Sequence, residues 1–182
     1  LGTGGLTVNQ AILTQLAGGV IPSTNALTMG GSSLVNLVGS NSLAGITFNN
    51  LGGAAPTVNP TGTLTLTGGV TVSTVNAGNP AVIGTGTIDL NGVGSFAMNV
   101  GAAVINGVDV APWQSALTIT SLIQNGGIAK SGAGMLQLSN AASTFAGGIN
   151  VTTGGLIIGA SSFGPNLGDP LTSGPLGIGA VT

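Results

Sequence analysis

Residues 125–159 read NGGIAKSGAGMLQLSNAASTFAGGINVTTGGLIIG. Met135-Leu136-Gln137-Leu138 and Gly155-Leu156-Ile157-Ile158 have the length and apolar content of short strands, and Gly pairs at 126–127, 147–148 and 154–155 punctuate them. Glycine reaches positive φ without a Cβ clash, so each pair marks a sharp bend between strands. One unit of this kind cannot bury its apolar side alone. It needs a copy above and a copy below, which predicts a solenoid.

The same texture runs from end to end, with Leu, Ile or Val alternating with Thr, Asn or Ser. One comparable strand per turn begins at Leu6, Leu27, Ile46, Leu64, Ile88, Leu117, Leu136 and Leu156, at successive intervals of 21, 19, 18, 24, 29, 19 and 20 residues. A loose period of this length lies in the solenoid range. The expected fold is therefore all-β, a parallel β-helix (β-solenoid) of about eight rungs, roughly 38 Å tall at the ~4.8 Å strand spacing. The residues after these markers are Thr7, Thr28, Thr47, Thr65, Asp89, Thr118, Gln137 and Ile157. Neighbours on a strand face opposite sides, so these form an expected outward ladder.

Asn-Gly pairs at 91–92, 106–107 and 125–126, and prolines at 22, 56, 60, 80 and 112, are expected at corners. Residues 9–16, NQAILTQL, are the one place where a short helix is expected to compete. The whole chain, 1–182, reads as a single solenoid segment whose best repeat unit is 125–159, with excursions near 100–114 and 161–175. Its two ends resemble each other: LGTGGLT at 1–7 matches LGIGAVT at 176–182 in four of seven positions. The ends read as uncapped strand pattern, so end-to-end stacking is expected to involve Leu1, Leu6, Leu176 and Val181. Either the chain is a piece of a longer tandem array, or its ends pair with a further subunit.

Composition narrows the function classes. Apolar residues make up 42% of the chain, charged residues 2%, and the whole charge inventory is Asp89, Asp109, Asp169 and Lys130. Globular proteins average about 25% charged residues, so this surface must be built from Thr, Ser, Asn and backbone. Disorder goes with low hydrophobicity and high charge, the opposite of this balance. The 35 glycines have no three-residue period, which excludes collagen. A net charge of −2 with a single base excludes nucleic acid as a partner. No apolar run reaches the ~18 residues of a spanning helix, so no membrane insertion of this segment is expected. The absence of Cys fits secretion.

Residues 125–159 also resemble the passenger-associated repeat of bacterial autotransporters. The positions that carry the resemblance are Gly127, Ile128, Lys130, Gly132, Gly134, Leu136, Leu138, Ser139, Phe145, Gly147, Gly148, Val151, Gly155 and Leu156. Ile128 stands where the family motif has Leu, and Phe145 where it usually has Tyr. The resemblance covers about a fifth of the chain and implies a parallel β-helix exported through a membrane and displayed on the bacterial cell surface. It implies no catalytic residues.

Catalysis needs titratable groups that converge. His, Cys, Tyr and Glu are absent, and the three acids fall in different rungs or loops. Asp89 is expected on the outward ladder, with Asp109 and Asp169 in the excursions. No enzyme activity, cofactor or metal is expected. The stretch GTGTIDL at 84–90 departs from the calcium-binding nonapeptide and occurs once. The sequon Asn150-Val151-Thr152 reads as a chance occurrence. Lys130 is expected to be solvated, with pairing to an acid across the stack as the alternative. Trp113, beside Pro112 on the longer excursion, either anchors a partner or folds back to pack on the wall.

The functional expectation is a structural building unit of an extracellular fibre or stalk, stacking end to end with copies of itself or with neighbouring repeats, with lateral fibre contacts possible at its low charge. The alternative is an adhesin module that binds a receptor or glycan through the loop near Trp113. Thr63-Leu64-Thr65, Thr85-Gly86-Thr87 and Thr118-Ile119-Thr120 raise a third reading, an ice-binding surface.

Overall fold

The computed structural model describes Gly2 and residues 4–182. Short strands with one apolar side must find that side a shared interior, and here the interior is the axis of a β-solenoid of about seven turns. Sheet A stacks Leu6–Asn9, Ala26–Gly30, Gly45–Asn50, Val70–Thr74, Phe96–Ile105, Ile128–Ser131 and Ile149–Val151. Sheet B stacks Ile12–Thr14, Leu34–Leu37, Thr57–Pro60, Ala81–Ile83, Ser115–Ile119, Met135–Leu138 and Gly155–Ile158. Sheet C is shorter, with Asn41–Leu43, Thr63–Leu66, Thr87–Asp89 and Leu122–Gln124. Each full turn visits A, then B, then C, and every pairing within the wall is parallel. No residue among those described is helical.

Parallel stacking puts equivalent positions on top of one another, so the core is a set of columns. On sheet A one inward column runs Leu6, Leu27, Ile46, Val70, Met98, Lys130 and Val151. A second holds Val8, Met29, Phe48, Val72 and Val100. Sheet B contributes Leu13, Val35, Val58, Ile83, Ile119 and Leu138. Leu64, Ile88 and Ile123 close the interior from sheet C. Apart from Leu6, Leu13, Lys130 and Val151, these side chains belong to one buried cluster.

The sequence markers follow three faces rather than one. Leu6, Leu27 and Ile46 stack in sheet A, Leu64 and Ile88 in sheet C, and Leu117, Leu136 and Leu156 in sheet B. Each turn carries up to three strands of similar length and alternation, and local pattern does not distinguish them. The outward threonines are divided in the same way. Thr7, Thr28, Thr47 and Thr71 form a ladder on sheet A that continues through Asn99 and Ser131. Residues 9–16 are not helical: Gln10 turns the corner with φ 49°, and Ile12–Thr14 is a strand. The amides of Gln10 and Gln15 donate to Gly30 and Asn36 in the next turn, satisfying the backbone along the axis.

Two segments leave the wall. Phe96–Ile105 overruns sheet A and folds back as an antiparallel hairpin onto Val108–Asp109. Asn106 and Gly107, both at positive φ (51° and 78°), form its two-residue tip, the backbone that a type I′ hairpin turn requires. Asn106-Gly107 is thus a hairpin tip and not a solenoid corner. Residues 159–175 form a second loop, tied by an antiparallel bridge between Phe163 and Ser173. The chain then stacks on the previous turn again, with Ile178 donating to the Phe145 carbonyl and Val181 bridging Ile149 in sheet A.

Phe48 is among the largest fully buried side chains. Phe48→Ala is expected to cost about 3–5 kcal/mol, the range for truncating a buried aromatic in a core that cannot collapse. Chemical denaturation checks this, and a loss below about 1 kcal/mol contradicts a packed axis at that turn.

Candidate functional site

Lys130 lies inside the wall. Its strand, Ile128–Ser131, alternates in–out, and Ile128 and Lys130 share the inward side. The side chain has 0% exposure, and its ammonium donates to three backbone carbonyls: Gly132 at 2.7 Å, Thr153 at 2.9 Å and Ser131 at 3.0 Å. The expectation of a solvated lysine is thereby corrected, and among the described residues no acid pairs with it. The stem fills a column position while the head ties together two stacked corners. Gly154 completes the arrangement: at φ +72° its missing Cβ leaves room for the ammonium, which would lie 2.8 Å from such an atom. Burial lowers the Lys130 pKa from the usual 10.5 to about 8.

The three acids do not converge, and among the described residues no group of three or more His, Cys, Asp or Glu side chains comes together. Asp89 accepts from the Asn91 amide (2.7 Å), Asn125 Nδ2 (2.9 Å) and Gln124 Nε2 (3.1 Å), bracing a corner of sheet C. Asp109 accepts from the Ala111 amide at the base of the hairpin, and Asp169 from Asn166 Nδ2 in the second loop. Each has a local structural role. Thr85 has φ 55° and donates to the Pro60 carbonyl, so Thr85-Gly86-Thr87 is a corner rather than a flat pair. Thr120 lies just beyond its strand, which leaves Thr63-Leu64-Thr65 as the one strand-borne Thr pair among the three.

Trp113 is 85% exposed, so it does not fold back onto the wall. Val104, Ile105, Val108 and Val110 of the hairpin are exposed beside it in sequence, and Pro112 also stands outside the core. The excursion therefore carries apolar side chains outward on and just after a short antiparallel ribbon.

The ends of the stack are the other apolar surfaces. At the first turn, Leu16 is 89% exposed and Val20 is exposed as well, while exposed Ile12 lies on the outward side of its strand, beside inward Leu13. Leu13, Leu16, Val20 and Ile21 line a shallow cavity of about 220 Å³ at this end. At the opposite end Ile158, Ile178 and Val181 are exposed, and Leu176 packs partly buried against the core. Leu1 lies outside the described residues. Leu6 and Val181 both belong to sheet A but not to one column: Leu6 shares the column of Lys130 and Val151, whereas Val181 sits over Ile149. The matched heptapeptides are thus offset by two residues in the ladder.

Comparisons of the chain with protein-family models, with curated proteins and with solved structures return no match.

With no His, Cys or Tyr in the chain, Lys130 is the one side chain that titrates between pH 8 and 10.5. The unfolded chain holds that proton up to its ordinary pKa and the folded chain releases it near 8, so the unfolded state binds more protons across this window. Stability is therefore expected to rise as pH increases from about 8 to about 10.5, and Lys130→Met should abolish that slope. Lys130→Met also leaves three carbonyls without their donor, an expected loss of about 2–3 kcal/mol near neutral pH. Denaturant titrations at several pH values test both outcomes. Separately, the fluorescence of the single tryptophan should be that of a water-exposed indole, readily quenched by acrylamide, and Trp113→Ala should change stability by less than about 0.5 kcal/mol.

Proposed function

We propose that this chain is a structural building unit of an extracellular fibre or stalk, extended end to end by further solenoid turns of the same chain or of another copy. The observation that carries this reading is the first-turn edge. Ile12–Thr14 is hydrogen-bonded on one side only among the described residues, and exposed Leu16 and Val20, with Leu13 and Ile21, line an apolar cavity there. An unpaired parallel strand with apolar side chains is a template for another strand. The opposite end offers Gly155–Ile158 as a matching edge, with Ile158 exposed. Low charge supports the same reading, since 2% charged residues give stacked copies little to repel. The resemblance of residues 125–159 to passenger-associated repeats supports display on a bacterial cell surface.

A second reading has its own observation. The excursion with Trp113 suits an adhesive contact with a receptor or glycan, because Trp is enriched among residues that anchor interfaces and this one is exposed beside exposed valines. Beads coated with the chain should then lose adhesion to epithelial monolayers on Trp113→Ala, and unchanged adhesion removes this reading.

For the stacking reading, electron microscopy and sedimentation of the 182-residue chain should show rods that lengthen with concentration, with an axial repeat of roughly 34 Å for seven turns. Leu16→Lys with Val20→Lys places two charges at the cavity of this end and should leave single rods. Monodisperse rods from both proteins at high concentration would overturn end-to-end association.

A further inference from the structure

The corner where sheet A passes into sheet B, over the first three turns, holds a groove of about 570 Å³. Its shape follows from one outward column of sheet A, in which Asn9, Gly30 and Asn49 stack in register. The middle turn has no side chain at that position. Two inter-strand spacings, about 9–10 Å, thus separate the strands that carry the flanking asparagines. A Cβ at Gly30 would lie 2.7 Å from Asn9 Oδ1, and one at Gly31 would lie 2.9 Å from Gln10 Cγ. The glycines therefore let both amide side chains lie across the second turn and into the groove.

The floor is pinned in place. Ser33 is buried and joins the first two turns: its hydroxyl donates to the Val8 carbonyl at 2.9 Å and accepts from the Gln10 amide at 3.1 Å. Ser32 Oγ accepts from the Ala54 amide at 2.9 Å and ties the second turn to the third. Thr28 adds a hydroxyl to the wall, and Leu51, 68% exposed, adds an aliphatic surface. Neither Lys130 nor any of the three acids lines the groove.

We propose that this groove is a binding site for an uncharged, hydroxyl-rich ligand of the oligosaccharide class. Asn and Gln amides and a Thr hydroxyl both donate and accept, which is what a neutral sugar's hydroxyls require. A charged sugar would give up hydration here without meeting a counter-charge. Leu51 suits the C–H face of a pyranose ring. The volume lies within the ~300–1,000 Å³ of small-ligand sites. An added peptide strand finds no free ladder at the centre of the groove, because Ala26–Gly30 is already paired on both sides. The site is separate from the Trp113 hairpin; it shares the first turn with the proposed stacking end through Thr7, Asn9 and Gln10, but its lining contains none of Ile12, Leu16 and Val20.

The test is saturation-transfer NMR followed by calorimetry on the 182-residue chain, using maltotriose, cellotriose and triacetylchitotriose as neutral probes and trigalacturonate as the acidic one. At least one neutral trisaccharide should bind, with trigalacturonate at least tenfold weaker. Gly30→Asn fills the middle of the column with a third amide at a position whose φ suits any residue, and Asn49→Ala removes a wall. Each should weaken the neutral sugar at least tenfold while thermal unfolding stays within a few degrees of the parent. Absence of saturation transfer from every neutral probe at millimolar concentration overturns the proposal. So does equal binding of trigalacturonate, or neutral-sugar binding unchanged in a folded Gly30→Asn variant.

Discussion

Backbone groups in this wall are satisfied along the axis, turn to turn, and that one arrangement constrains almost everything else. Parallel pairing at ~4.8 Å places each residue directly over its counterpart in the next turn. An inward position must then be filled by a column of apolar side chains, as Leu27, Ile46, Val70 and Met98 do. An outward position repeats just as closely. Like charges at that separation repel by about 1 kcal/mol per pair even in bulk water, so a charged ladder would add an unfavourable term at every turn. Thr, Asn and Ser do not. Their side chains also bond across turns, as Asn59 Nδ2 donates to Asn36 Oδ1. The scarcity of charge in the composition is thus a consequence of stacking.

Lys130 is the exception inside the wall, and its surroundings explain how it is tolerated. Ionised groups are costly to bury unless every donor finds an acceptor. Three corner carbonyls, from Ser131, Gly132 and Thr153, supply one acceptor for each ammonium proton. The backbone at these corners turns away from the ladder, so some of its carbonyls lack a partner in the next turn. A lysine reaching out from the interior provides one. In this reading Lys130 acts like a clamp on two successive corners, with the positive φ of Gly132 and Gly154 as part of the same device.

Fold class was legible because alternation and glycine spacing report local geometry, and local geometry here dictates stacking. What was not legible was phase. Leu64-Thr65 and Ile46-Thr47 are alike to an observer of sequence, yet they lie on sheets C and A. Only the neighbouring turns decide which face a strand joins. The position of Lys130 carried a usable signal: in Ile128-Ala129-Lys130, an inward Ile128 obliges Lys130 to point inward too. Charge was a poorer guide than parity. The hairpin was marked by its Asn106-Gly107 pair, but Asn91-Gly92 has the same letters and positive φ at both residues, and it turns a solenoid corner. The groove was not legible at all, since Asn9, Gly30 and Asn49 become neighbours only through the register of three turns.

The excursions show where such a wall can vary. After the hairpin, Ser115–Ile119 rejoins sheet B and pairs with Ala81–Ile83, while Leu122–Gln124 pairs with Thr87–Asp89, so the inserted residues shift neither sheet. The adjustment is confined to irregularities at Val100/Ala103 and Ser115/Leu117. Closing a longer loop costs little more than closing a short one, whereas a residue added inside a strand would reverse every side chain beyond it. Variation is thus channelled to corners. The polar groove of the first three turns and the Trp113 hairpin of the fifth both lie where sheet A passes into sheet B. Because successive turns superpose, features built at that corner line up along one edge of the rod. A wall whose faces are committed to stacking can in this way reserve an edge for recognition.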